Sequence, residues 1–170
     1  LLRGDIKDFM DEFTEGCADI VFGGPPCQGF SVAGKMDPND ERSQLIWTFL
    51  DVIERVRPKV FVMENVKALG TLEKWKPVRD RYLERTRALG YCCHYFVINS
   101  SDFGVSQNRE RVFFIGSQNE YEPAAFLLEL NKQKKKPLSL RQLLSSLPAA
   151  GSDRNPLTCT AKITLAANPV

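Results

Sequence analysis

The sequence predicts an α/β domain with a largely parallel sheet and an antiparallel final strand. Three observations carry this. Short apolar runs at 19–22, 59–63, 91–99 and 111–115 alternate with segments of helical periodicity. The first two runs are joined by an amphipathic stretch, so a helical crossover makes them parallel. The connection from 99 to 111 has no helical period, so the last strand turns back on its predecessor.

Asp19-Ile20-Val21-Phe22 reads as a buried strand that stops at Gly23-Gly24-Pro25-Pro26. Residues 27–41 are polar and glycine-bearing, hence a loop. From Arg42 to Arg57 the residues Leu45, Ile46, Phe49, Leu50, Ile53 and Val56 recur at helical spacing, and Pro58 ends the helix. Strand 59–63 follows, with Glu64 and Asn65 directly after it. A second helix is expected over 77–89, with Val78, Tyr82, Thr86 and Leu89 on one face and Gly90 as its stop. Strand 91–99, polar loop 100–110 and strand 111–115 complete the sheet. Pro123 starts a further helix. Ser139 and Gln142 fit a capping box for a segment reaching Leu147.

A chain of 170 residues, 43% of them hydrophobic, can bury a core, which excludes disorder. No apolar run approaches the roughly 20 residues of a membrane-spanning helix. The start, Leu1-Leu2-Arg3, has neither Met nor a signal-peptide pattern, and reads as a chain entered part-way. A net charge of +2 argues neither for nor against nucleic acid. The five cysteines are odd in number, lack C-x-x-C spacing and have only His94 for company. A disulfide scaffold and a metal site are therefore not expected, and a reducing, cytosolic compartment is.

The parallel strands 19–22 and 59–63 end on one edge of the sheet, where open α/β folds bind ligands. Cys27 and Glu64 lie just past those ends, and the returning strand brings Arg109 and Arg111 to the same edge. An arbitrary cysteine is most often a small buried hydrophobe. Cys27 instead occupies a rigid Gly/Pro loop at the ligand edge, a setting for a reactive thiol. Glu64 is placed to bond a substrate nitrogen, to donate a proton if its pKa is raised, or simply to cap a turn, while Asn65 is read as holding that turn. Arg109 and Arg111, two apart at a strand start, share a face and suit an anion or a base carbonyl; a surface ion pair is the plainer reading. His94 lies on a sheet face. Lys132, Lys134, Lys135 and Lys136 read as a solvated helix end that could also meet phosphates.

Pro25-Pro26-Cys27-Gln28-Gly29-Phe30-Ser31, then Glu64-Asn65-Val66, then Gln107-Asn108-Arg109-Glu110-Arg111 resemble motifs IV, VI and VIII of the DNA (cytosine-5)-methyltransferases, bacterial modification type, in family order. Gly4-Asp5-Ile6 resembles the cofactor-contacting segment upstream. Asp40 to Leu45 resembles the end of the mobile catalytic loop. The match covers residues 4–116.

The resemblance implies a Rossmann-like S-adenosylmethionine-dependent methyltransferase fold, incomplete at the N-terminus. Residues 1–117 would be a partial catalytic core, and 118–170 a helical segment leading towards target recognition. It implies Cys27 as nucleophile on cytosine carbon 6, Glu64 at ring nitrogen 3 and the exocyclic amine, Arg111 at the carbonyl and Arg109 in support. Asp5, Ile6, Pro26 and Leu45 would contact S-adenosyl-L-methionine. The partner would be double-stranded DNA with a flipped cytosine, with no membrane and no metal, and with a cognate restriction endonuclease in the same system. The location would be the bacterial cytoplasm, at the nucleoid when on DNA.

Motifs I, IX and X and the recognition region find no match, which implies an isolated chain without activity. A tRNA-methylating relative would usually depart from Gly29-Phe30-Ser31. A non-catalytic homologue would typically lack the thiol or the Glu. A thiol hydrolase would need a paired histidine.

Overall fold

The computed structural model describes residues 3–26, 44–145 and 147–148. Cys27, Cys159, the polar loop with its catalytic-loop match at 40–43, and the tail beyond Pro148 lie outside the described residues. A 3₁₀ helix, Ile6–Glu12, precedes β1 (Ile20–Gly23), α1 (Leu45–Val56), β2 (Val60–Val66), α2 (Lys67–Thr71) and α3 (Lys76–Ala88). Then come β3 (Cys92–Asn99), β4 (Glu110–Ser117), α4 (Pro123–Lys132) and α5 (Leu140–Ser145).

The sheet order is β1-β2-β4-β3. β1 and β2 are parallel, with Ile20 opposite Val60. β4 lies between β2 and β3 and is antiparallel to both. Strands β1, β2 and β3 therefore point one way and the last strand opposes them, as the missing crossover before β4 requires. Because β4 is inserted between β2 and β3 rather than added at an edge, two of the three pairings are antiparallel and one is parallel.

The amphipathic stripe of α1 explains its place. Ile46, Phe49, Leu50, Ile53 and Val56 are all buried and meet Phe61, Met63, Val112 and Phe114 from the sheet. Arg57 ends the helix in the left-handed conformation (φ 53°), since Pro58 disfavours a right-handed residue before it. α3 starts with Pro77 in its first turn and stops at Gly90 (φ 85°), and its Tyr82 and Thr86 are buried. Arg79 is also buried, and its guanidinium donates to the Leu69 and Leu72 carbonyls at the end of α2. The buried charge thus satisfies backbone groups that a short helix leaves unpaired. Arg85 of α3 pairs with Asp51 and Glu54 of α1 and ties the two helices together. Ser139 and Gln142 form the predicted capping box of α5.

Helices α1, α2 and α3 cover one face of the sheet. The other face is covered over β3 and β4 by the first turn of α4, where Phe126 packs on Phe96, and by the segment entering it, where the Tyr121 hydroxyl donates to the Ile115 carbonyl. β1 is an edge strand, with Ile20 60% and Phe22 82% exposed. This corrects the reading of 19–22 as a buried strand: an apolar run marks a strand but does not say whether it lies inside the sheet or at its edge. β2 is also longer than expected. Its ladder with β4 continues through Glu64, Asn65 and Val66, so the polar residues that appeared to end the strand are inside it.

Candidate active site

The ladder between β2 and β4 sets the polar centre of the site. Val66 is opposite Arg111, and Glu64 is opposite Phe113. Glu64 and Arg111 are therefore diagonal neighbours on one face, near enough for long side chains to meet. The Arg111 Nε–H donates to Glu64 Oε1 at 2.9 Å, and a terminal nitrogen of Arg109 lies 4.0 Å from the same oxygen. Arg111 and Glu64 are partly enclosed, while the Arg109 side chain is half exposed. One carboxylate facing two guanidiniums leaves several N–H donors free to meet a carbonyl or an anion.

Arg109 is held by its backbone. Its N–H donates to Asn99 Oδ1, and its carbonyl accepts from the Ser100 N–H at 3.0 Å. The Ser100 hydroxyl donates to the Gln107 carbonyl. Glu110, between the two arginines, is engaged by Lys67 at 2.8 Å, so it does not compete for them.

The loop leaving β1 runs beside this cluster. A Cβ on Gly24 would come 3.1 Å from Glu64 Oε2, so glycine lets the backbone pass close to the carboxylate. Asn65, 1% exposed, donates from Nδ2 to the Pro25 carbonyl at 3.2 Å, while its Oδ1 accepts the Val66 N–H. Asn65 thus clamps the loop two residues before Cys27. The sequence reading made Asn65 a turn holder. Its polar side chain at a buried position of the strand is what could have marked it as a clamp.

Three of the four residues that the resemblance assigns to the cofactor line one cavity. Ile6, Pro26 and Leu45 surround a hollow of about 420 Å³ with Phe13, Phe22 and Phe49. Its apolar and aromatic walls suit a flat heteroaromatic ring and its attached carbon chain. Asp5 is not in that lining. It caps the 3₁₀ helix, its carboxylate accepting the Lys7 N–H at 2.9 Å. The lining holds no carboxylate for a ribose among the described residues. Phe22 and Phe49 are not marked by the sequence because an apolar residue on a strand or helix looks like core, and Phe13, just past the 3₁₀ helix, falls in no pattern.

His94 sits on the sheet face predicted for it, edge-on to Tyr121, with Nε2 3.5 Å from the Cys92 sulfur. Burial pushes the neighbouring Cys93 thiol up to about 12, and it drives the Tyr82 hydroxyl upward as well. These groups belong to the packed interior around β3 and α3, away from Glu64. Among the described residues no group of three or more His, Cys, Asp or Glu could hold a metal, and no helix is long and apolar enough to cross a membrane.

The profile of C-5 cytosine-specific DNA methylases matches residues 2–168. The type II methyltransferase M.AquIA of a Picosynechococcus strain is 44% identical over 133 residues, which is 69% of this chain and 54% of that protein. M.NgoBI of Neisseria gonorrhoeae is 33% identical over 152 residues, 82% of this chain and 48% of its own. The crystal structure of a protein described as a DNA modification methyltransferase encoded within an Escherichia coli prophage superposes with a TM-score of 0.61. It is 26% identical, over 88% of this chain and 40% of that one. The chain thus spans about half the length, or less, of these relatives.

Proposed function

The chain belongs to the C-5 cytosine-specific DNA methylase family, and on that footing we propose that the intact protein methylates carbon 5 of cytosine in double-stranded DNA, in a type II restriction–modification setting with a cognate endonuclease. The observation that supports it best is the meeting of Glu64, Arg111 and Arg109 at one sheet edge, beside the Asn65-clamped loop that leads to Cys27.

Carbon 5 of cytosine is a weak nucleophile, and an added thiolate corrects this. The Cys27 sulfur forms a bond to carbon 6, the ring double bonds shift, and negative charge builds at ring nitrogen 3. Glu64 meets that nitrogen and the exocyclic amine. It supplies or shares a proton there and so stabilises the charge as it develops. Arg111 donates to the carbonyl oxygen, and Arg109 adds positive charge at the open side. Carbon 5 is then enamine-like. Once carbon 5 carries the methyl group that the bound cofactor would supply, ring nitrogen 3 returns its proton to Glu64 and a base takes the remaining carbon 5 proton. That electron pair re-forms the carbon 5–carbon 6 double bond, and the carbon–sulfur bond breaks so that Cys27 leaves as thiolate.

The S-adenosyl-L-methionine cofactor supplies, when bound, a methyl group on an electron-poor sulfur. Ile6, Pro26 and Leu45 would hold its adenine end within the apolar cavity, and Asp5 would approach it from the cap of the 3₁₀ helix. The cytosine must leave the duplex to reach Cys27, as for other enzymes that act on bases. Residues 1–117 would carry this chemistry, and 118–170 would lead towards the sequence-reading part.

The test is methyl transfer by the intact protein and its Cys27→Ser variant. The wild type should transfer label to cytosine DNA and form a covalent adduct with 5-fluorocytosine DNA. The variant should do neither, because an alkoxide is far less accessible than a thiolate at neutral pH. An adduct that survives Cys27→Ser would remove Cys27 from the mechanism.

A further inference from the structure

The lysines that close α4 are exposed, as a solvated helix end would be, but their backbone is tied to the sheet. After Lys132 the chain folds back on the turn that follows β3. The Lys135 N–H donates to the Asp102 carbonyl at 2.8 Å, and Phe103 and Lys135 form a parallel bridge. That turn is bonded in its own right to the residues entering β4, through Ser100 to Gln107 and Arg109. The basic run is therefore stitched to the sheet edge that carries Glu64, Arg109 and Arg111. Neighbouring strands lie about 4.8 Å apart, so two spacings put the end of β3 roughly 10 Å from the end of β2.

The charges of the run are unevenly used. Lys132 pairs with Glu129 and Lys134 with Asp102, at 2.6 and 3.1 Å. Lys135 and Lys136 are exposed and have no ion-pair partner among the described residues. They border a concavity of about 340 Å³, with Ser101, Asp102 and Pro137. Two unpaired ammonium groups on a backbone-anchored ledge, beside a site for a base, match the chemistry of a phosphodiester chain. Phosphates on one strand advance about 3.4 Å per nucleotide along the duplex axis, so two strand spacings amount to about three nucleotide steps, the scale on which a flank of the target base would be met.

We infer that Lys135 and Lys136 contact the DNA backbone on one flank of the target base. The inference rests on the proposed function. The ledge adds affinity without reading sequence, since phosphate contacts position the protein and carry no base information.

The experiment measures binding of the intact protein to short fluorescein-labelled duplexes, with and without a modification site, across a salt series. The double variant Lys135→Gln/Lys136→Gln should lower the slope of log K against log salt by about 2, roughly one per lysine. It should weaken both duplexes by the same factor. Lys59→Gln removes a charge where β2 begins, at the opposite end of the sheet, and should leave the slope as in wild type. An unchanged slope in the double variant, with the wild type binding and methylating, overturns the ledge alone. A loss confined to the duplex with the site also overturns it, because that is base readout. A wild-type protein that neither binds duplex nor methylates it overturns both readings.

Discussion

Glu64 and Arg111 stand on strands paired over seven register positions, whereas Ile6, Pro26 and Leu45 come from a 3₁₀ turn, a loop and the start of a helix around a four-residue edge strand. In the first half each charged group has a partner and each supporting backbone group is bonded. In the second half the walls are apolar and one of them, Phe22, is almost fully exposed. The difference follows from what each half has to do. A carboxylate meeting a ring nitrogen needs a fixed direction, which a two-sided ladder supplies. A cavity for a flat ring needs only shape and apolar surface, and an edge strand can give that.

The largest effect is expected where direction matters most. Glu64→Gln keeps the size of the side chain but removes its charge and its capacity to share a proton. Turnover should fall by roughly 10², the usual scale for a positioned acid or base, with cofactor affinity nearly unchanged. Single-turnover kinetics and calorimetric titration of the intact protein separate the two quantities. Near-normal turnover with weakened cofactor binding would show that the halves are not separate.

How far the sequence revealed this division differs between the halves. Arg109, Glu110 and Arg111 at the start of an apolar strand, and Glu64 at the end of another, were legible because charge beside a strand is conspicuous and the connection lengths fix the strand directions. The antiparallel return of the last strand followed from the same count. Its insertion between β2 and β3 did not, since strand order depends on packing across the whole sheet. The aromatic walls of the cavity were illegible for a related reason. Phe22 and Phe49 belong to an apolar strand run and a helical stripe, Phe13 follows the 3₁₀ helix in no pattern at all, and the position of β1 at the edge is what gathers them around a hollow. Leu45, Ile6 and Pro26 were placed by resemblance, not by any physical pattern.

Asn65 is where the halves join, since it is buried in β2 and holds the Pro25 carbonyl. Asn65→Ala leaves that carbonyl and the Val66 N–H without their side-chain partner, at a cost of about 1–3 kcal/mol in stability. Turnover should drop with it, because the clamp sits two residues before Cys27. Thermal unfolding and turnover measured on one preparation check both. A variant that melts like wild type yet has lost turnover would mean that Asn65 acts on the reacting groups and not on the loop.

The packed side of the sheet should also set the response to alkali. Burial raises the Cys93 thiol from about 9 to about 12, so the folded state favours the neutral form. A group raised in this way stabilises the fold fully below its unfolded pKa, and that contribution is lost as pH rises through the folded value. Stability should therefore decline between about pH 9 and 12, with buried Tyr82 adding in the same direction. Cys93→Val should flatten part of this decline. Denaturant midpoints collected across that range test the sign, and a decline unaffected by the substitution would assign it to the tyrosines.

The smallest change in stability is expected at Phe22, which makes it the sharpest probe of the apolar half. Its side chain is 82% exposed, so Phe22→Ser removes little packing and should shift stability by no more than about 0.5 kcal/mol. The same ring lines the cavity with Ile6, Pro26 and Leu45. An aromatic contact contributes about 0.5–1.5 kcal/mol beyond its area, so its loss should weaken S-adenosylmethionine binding by up to about tenfold. Glu64→Gln should show the reverse pattern, with turnover lost and affinity kept. A Phe22→Ser variant that melts well below wild type would mean that another part of the intact protein covers β1, and that Phe22 is core after all. One that melts normally and binds the cofactor normally would place the adenine elsewhere and leave the cavity without the role given to it.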